Sequence, residues 1–254
     1  MDGMIDYLIG LICFITIFGS ALIGMLVARS LPQHHLSSET RNAVSVAVAV
    51  VGTLAALVIG LMISSASTSF TTRSNEVISI SVDLIRMQRT LQRYGSEADT
   101  ARAQLRDYAS AKMQELFPSE GQSPPTNEAT VRMLEAMQDT ILLLTPTDEK
   151  HRWLRSQALT LSDNLSQARW LLVEQAVITV PESFLMILVF WLALVFASFG
   201  LFSPRNTTAI VALCLCSMAV AGGITVILEF GSPFSGLIRI SGDPMRHALM
   251  LIMQ

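Results

Sequence analysis

The sequence predicts an all-α integral membrane protein, with four transmembrane helices and a cytoplasmic helical bundle or stalk between spans two and three. Three observations carry this. Of 254 residues, 51% are hydrophobic and only 15% charged, with a mean hydropathy of +0.51, so there is too little ionic surface to cover a soluble globule of this size. Four stretches, Tyr7 to Ala28, Asn42 to Thr72, Ser183 to Pro204 and Asn206 to Leu228, contain no Asp, Glu, Lys or Arg. Each is long enough to cross a hydrocarbon layer of about 30 Å, which takes about 20 helical residues at a rise of about 1.5 Å. Finally, the polar segment between the second and third stretches keeps a helical period of apolar residues.

In chain order, the first span follows Met-Asp-Gly-Met-Ile-Asp, which has no basic region and no small-residue cleavage site. It therefore reads as a retained span and not as a secretory signal. The expected divisions are 1–72 for the first helix pair, 73–182 for the cytoplasmic helical domain, 183–230 for the second pair and 231–254 for a cytoplasmic tail. Four crossings put both termini and the middle on one face, leaving Arg29 to Arg41 and the turn Ser203-Pro204-Arg205 on the other. Basic residues near the membrane are more numerous on the middle-domain side (Arg73, Arg86, Arg89, Arg169, Arg239, Arg246), although the short opposite loops are denser in them. The larger total points to a cytoplasmic middle in an inner, cell-membrane protein.

No proline or glycine lies between Leu61 and Tyr94, so the second span can run directly into the first helix of the middle segment, a rod of about 50 residues and about 75 Å. In that segment Val77, Ile80, Leu84, Met87, Leu91, Tyr94, Ala98, Ala101, Leu105 and Tyr108 alternate steps of three and four, the spacing of one helical seam. Gly95 and Ser96 interrupt helix propensity there without changing the phase. Leu154, Ala158, Leu161, Leu165, Ala168 and Leu172 form a second seam, and Val131, Leu134, Gln138 and Ile141 a weaker one. The pattern predicts three helices, separated by the proline-rich run from Phe117 to Pro125 and by Thr145-Pro146-Thr147-Asp148. The seams can close within one chain or as a coiled coil between chains. Pro181 is expected to kink the entry to the third span. Pro233 and Gly236 must turn the chain after the fourth span, and Pro244 opens a segment of about ten residues, too short to cross, which docks on the membrane surface or against the stalk.

The residues offer little chemistry. A net charge of -3 gives no basic face for nucleic acid. Cys13, Cys214 and Cys216 lie in apolar stretches and read as small buried hydrophobes, with no disulfide frame or zinc spacing. No nucleophile and base, phosphate loop or metal spacing is recognisable, so neither an enzyme nor a cofactor is expected. His34-His35 reads as a solvated pair, His151 and His247 as surface or packing residues, and Trp191 as packing. Gly222-Gly223 reads as a close helix contact.

The second span is more informative. Gly52, Ala56, Gly60, Ser64 and Thr68 recur every fourth residue, a narrow stripe of small groups. Such a stripe admits a neighbouring helix or walls a pore, with the hydroxyls of Thr53, Ser64, Ser65, Ser67 and Thr68 donating to a partly dehydrated anion. The candidate pore-lining residues are thus Gly52, Thr53, Ala56, Gly60, Ser64, Ser67 and Thr68. The ionic residues at the span ends, Arg29, Arg41, Arg73, Glu182, Arg205, Glu229 and Arg239, read as interfacial anchors or salt bridges, because a charge at the bilayer centre costs about 2.5 to 3.5 kcal/mol. The alternative for them is a vestibule or ion-pathway ring.

Five ordered stretches resemble the bacterial bestrophin-like membrane proteins: His34-His35-Leu36-Ser37-Ser38-Glu39-Thr40-Arg41, Phe70-Thr71-Thr72-Arg73-Ser74-Asn75-Glu76-Val77, Leu105-Arg106-Asp107-Tyr108, Phe199-Gly200-Leu201-Phe202-Ser203-Pro204-Arg205-Asn206 and Pro233-Phe234-Ser235-Gly236-Leu237-Ile238-Arg239. Together they cover nearly the whole chain. Bestrophins proper are pentameric anion channels with cytosolic termini and a pore lined by the second span, so the resemblance implies a cytosolic middle, a homo-oligomer with five copies favoured, membrane lipid around it and inorganic ions as its cargo. Their apolar neck would fall within Val50 to Met62. No aromatic occurs between Asn42 and Ser69, so a closing aromatic ring is not evident, and no run of close acids near the membrane suggests a calcium clasp. Two function classes follow: an oligomeric anion-selective channel, and a non-conducting scaffold or signalling protein acting through its cytoplasmic helices. A transporter fits less well, lacking a broken helix or an intramembrane charge pair.

Overall fold

The protein is described here from a computed structural model, which covers residues 2–32, 37–118, 124–177, 182–234 and 236–254. The described residues form α-helices, one short 3₁₀ turn and loops, with no strand among them. The His34-His35 loop and the kink expected at Pro181 lie outside them. The helices are α1 (Asp2–Ser30), α2 (Ser38–Tyr94), α3 (Asp99–Leu116), α4 (Asn127–Leu142), α5 (Glu149–Val177), α6 (Glu182–Phe202), α7 (Thr207–Gly231) and α8 (Asp243–Met253). Four of them, α1, α2, α6 and α7, are long and apolar enough to cross a membrane.

The chain divides into two compact units, Met1–Phe70 with Ile178–Arg239, and Thr71–Val177 with Ile240–Gln254. In the first, α1 packs against both α6 and α7. Its core is Cys13, Ile17 and Ala21 of α1, Leu188, Leu192, Val195 and Phe196 of α6, and Ile224 and Ile227 of α7, with Ala55, Met62 and Ala66 of α2. Glycines set the closest approaches. A Cβ on Gly24 would land on the carbonyl of Ala197, one on Gly200 on the carbonyl of Ala21, and one on Gly10 on the hydroxyl of Thr225. Backbones that near demand the smallest residue on both sides. An added Cβ on Gly222 or Gly223 would meet nothing among the described residues, so within the chain the close contacts are those of Gly10, Gly24 and Gly200.

Helix α2 begins where the Ser37 hydroxyl accepts the Thr40 N–H at 3.2 Å and continues for 57 residues, as the absence of helix breakers after Leu61 predicts. It stops at Tyr94 because Gly95 takes φ +115°, a conformation that a residue with a Cβ rarely adopts. A 3₁₀ turn, Ser96–Ala98, then leads into α3. All ten positions of the first seam are buried across this break, so the phase survives although the helix does not. The expected first helix is therefore two, and the second unit is built from the end of α2 with α3, α4 and α5. The first and second seams are buried within this chain, whereas α4 buries Thr130, Leu134, Met137 and Ile141, so Val131 and Gln138 of the weaker seam are only half-buried.

Caps define the other boundaries. The Thr126 hydroxyl accepts the Ala129 N–H at the start of α4, and Arg155 donates to the carbonyls of Ile141 and Leu142 at its end, at 3.2 and 2.6 Å. Asp148 accepts the His151 N–H at 2.7 Å to open α5, the acid-led start that Thr147-Asp148 predicts. Pro244 occupies the first turn of α8, where its missing N–H costs nothing. Helix α8 buries Met245, Ala248 and Ile252 and packs on α3, so this segment docks on the helical unit.

Candidate functional site

Helix α2 differs from the other apolar helices in what its own chain covers. In its most apolar stretch only 11% of residues are buried, against 28% in each of α1, α6 and α7. Burial is confined to the edge bearing Ala55, Met62 and Ala66. The opposite edge carries Ala49, Thr53, Ala56, Gly60, Ser64 and Thr68, all exposed, with Gly52 and Ser67 half-buried at the flanks. An added Cβ on Gly52 or Gly60 would meet nothing, so these glycines, unlike Gly24 and Gly200, serve no close packing within the chain. The stripe is an uncovered strip of small side chains about one helix face wide.

Its hydroxyls are not equivalent. Thr53 donates to the Ala49 carbonyl at 2.8 Å and Thr68 to the Ser64 carbonyl at 2.9 Å, so their protons are satisfied by their own helix, as threonine in an apolar helix commonly arranges. Ser64 is exposed on this face, and Ser65, about 100° round the helix from it, is exposed too. Of the donors expected from sequence, these two present hydroxyls outward without such a bond among the described residues.

The span-end charges separate into three groups. Arg29 in the last turn of α1, Arg41 in the first turns of α2 and Arg205 in the turn between α6 and α7 are all exposed. Arg29 complements the negative end of its helix dipole. Arg73 is buried in α2 just past the unit boundary. Arg239 is exposed, and Glu182 is the first residue of α6, its side chain outside the described part.

Glu229 departs from expectation. It is buried, with 3% exposure, and is neither a surface anchor nor, among the described residues, half of an ion pair. Its Oε2 accepts the backbone N–H groups of Leu237 at 2.9 Å and Ile238 at 3.2 Å. Gly236, at φ +87°, lets the chain fold tightly round the carboxylate, since a Cβ there would strike it. Glu229 thus ties the loop after α7 back onto the helix end. The signal for it in the sequence was the pair Pro233 and Gly236 a few residues beyond a lone acid.

A polar cluster inside the second unit was not anticipated. Lys112 is buried and donates to Glu115 at 2.8 Å, and Glu115 also accepts the Thr130 hydroxyl at 2.7 Å, joining α3 to α4. Arg169 of α5 donates to Asn127 at 3.1 Å and lies over the Trp170 ring at 4.5 Å. Burial pushes the Tyr108 hydroxyl well above its ordinary range and draws the Lys112 ammonium below its own. The visible clue was Lys112 falling on the buried edge of α3 between Tyr108 and Leu116. Among the described residues no three His, Cys, Asp or Glu side chains converge to hold a metal.

These features define a multi-span α-helical membrane protein with one apolar helix left open along a small-residue face. A Bestrophin-like domain model matches residues 15–245, and the chain belongs to the bestrophin-like family. The fold is similar to that of a mutant of a bacterial bestrophin homolog from Klebsiella pneumoniae, with TM-score 0.71 and 14% identity over 96% of this chain and 97% of that one. A second mutant of the same homolog gives TM-score 0.69 and 13% identity over 94% and 97%. A structure described only as a mutant membrane protein gives TM-score 0.71 and 14% identity over 96% and 98%. No curated protein matches the chain.

Proposed function

We propose that the protein is one subunit of an oligomeric, anion-selective ion channel whose pore is lined by α2. The observation that carries this reading is the open strip from Gly52 to Thr68. A helix this apolar, with its small-residue face unfilled by its own chain, gains a neighbour only in an assembly, and a ring of such faces leaves a channel between them. Membership of the bestrophin-like family supports the same reading, with five copies favoured, the helical unit and both termini on the cytoplasmic side, and the protein in the inner membrane. Within the strip, Ser64 would supply a donor hydroxyl for a partly dehydrated anion, with Gly52, Ala56 and Gly60 giving it room. Arg29 and Arg205 would repeat around the outer mouth.

The test is ion flux from the purified oligomer in liposomes. Chloride or iodide efflux that falls about tenfold or more in Gly60→Trp, with the oligomer intact by size, supports the proposal. Intact oligomers that pass neither anions nor cations over a range of pH and voltage contradict it and leave the non-conducting scaffold as the reading.

A further inference from the structure

A cavity of about 280 Å³ lies in the first unit, between the start of α2, the end of α6 and the start of α7. Its polar contributors are Arg41, Ser45 and Ser203, and its apolar walls include Val48, Phe199 and Leu213. Arg41 makes no ion pair among the described residues, and no acidic side chain lines the cavity. The position is equally specific. Arg41 opens an apolar helix and Ser203 follows the last residues of another, so the polar end of the cavity stands at the membrane boundary and the apolar end descends along the spans. Phe199, Ile210 and Val211 nearby are exposed, continuing the apolar wall on the outside of α6 and α7.

From this arrangement we infer that the cavity is a binding site for an anionic phospholipid. A guanidinium without a carboxylate partner is a bidentate donor suited to a phosphate. At this depth the phosphate available without desolvating a free ion is that of a lipid headgroup, whose acyl chain then covers Val48, Phe199 and Leu213. A soluble anion would leave those walls wet, and a zwitterionic lipid would bring its own ammonium to compete with the guanidinium for the phosphate. The serine hydroxyls of Ser45 and Ser203 reach the glycerol and ester oxygens, while the hydroxyl of Ser198, which also borders the cavity, is spent on the Leu194 carbonyl at 2.9 Å. The site is independent of conduction: it stands or falls whether or not α2 lines a pore.

The full-length protein is incorporated into nanodiscs of equal phosphatidylglycerol and phosphatidylethanolamine, and lipid retained per protomer is measured by native mass spectrometry after transfer to detergent. The expected result is preferential retention of about one phosphatidylglycerol per protomer, reduced about tenfold by Arg41→Gln and by Val48→Trp, which fills the cavity from its apolar side. Arg205→Gln, on the same membrane face but outside the cavity, should retain lipid as the parent does. Because Val48→Trp keeps the charge and Arg41→Gln leaves the apolar walls untouched, failure of either to fold leaves the other to decide. Equal retention of both lipids, unchanged retention in the folded variants, or displacement of the lipid by millimolar inorganic phosphate would overturn the inference. So would cross-linking that places a second copy's side chains against Phe199 and Val48.

Discussion

The buried carboxylate of Glu229 holds two partly buried backbone N–H groups at once, and no other acceptor for them is found among the described residues. Leaving such donors unmade costs about 1 to 3 kcal/mol. Glu229→Gln keeps a carbonyl oxygen in the same place and should be mild, whereas Glu229→Ala should lower the unfolding midpoint of the detergent-purified protein clearly. Gly236→Ala should behave like the alanine variant, since its positive φ and the carboxylate both exclude a Cβ. Equal melting of the Gln and Ala variants would show that the loop is held by something else. In the second unit, Glu115→Ala strips Lys112 of its counter-charge and should cost about 3 kcal/mol, while Lys112→Met with Glu115→Leu should come close to neutral, because an apolar pair needs no desolvation of charge. Urea unfolding of both variants followed by helical circular dichroism separates these outcomes. The Asp148 carboxyl is held below the usual carboxylate range by hydrogen bonds from the His151 backbone N–H and then from its ring. A depressed folded pKa gives stability that is full above the unfolded value of about 3.9 and is lost as pH falls through the folded one. The melting difference between the parent and Asp148→Asn should therefore be constant above about pH 5 and close below about pH 4. A difference that persists unchanged at pH 3 would contradict this assignment.

Among the elements, the glycines divide α1 and α6 from α2. Gly24→Ala and Gly200→Ala force backbone apart at the α1–α6 crossing and should each cost about 1 to 3 kcal/mol, the range for overpacking a close contact. Gly52→Ala and Gly60→Ala meet open space and should leave the fold of the protomer unchanged or slightly firmer, because alanine is the better helix former. Detergent melting curves of the four variants read this directly. The contrast also shows what the sequence could convey. The span positions, the uninterrupted run of α2 and the seam from Val77 to Tyr108 were legible, because each is a periodic or length signal repeated over many residues. The break at Gly95 was not, since a single glycine leaves the apolar phase intact and only its φ of +115° reveals the turn. Nor could spacing tell which small residues touch: Gly60 and Gly200 have equivalent signatures in apolar helices, and partner geometry alone assigns Gly200 to a crossing. Glu229 was visible as a span-end acid, but the loop that reaches back to it is a contact eight residues away with no periodicity to betray it.

Across the whole molecule, the apolar helices are unequally satisfied. Helix α1 packs against α6 and α7, and α2 contributes a thin edge to that core while its small-residue face stays bare. In lipid there is no hydrophobic force to hide that face, and small-residue stripes commonly admit a neighbouring helix. In the proposed channel the flanks of the strip meet neighbouring copies and its centre faces the axis. The decisive measurement is the structure of the purified oligomer at a resolution that identifies its innermost helix. The account predicts a closed ring, five copies in the favoured case, with α2 of every protomer nearest the axis and Gly60 and Ser64 bordering a continuous watery path. A ring closed by α1, α6 or α7, or an assembly in which Gly52 to Thr68 faces lipid, would contradict it.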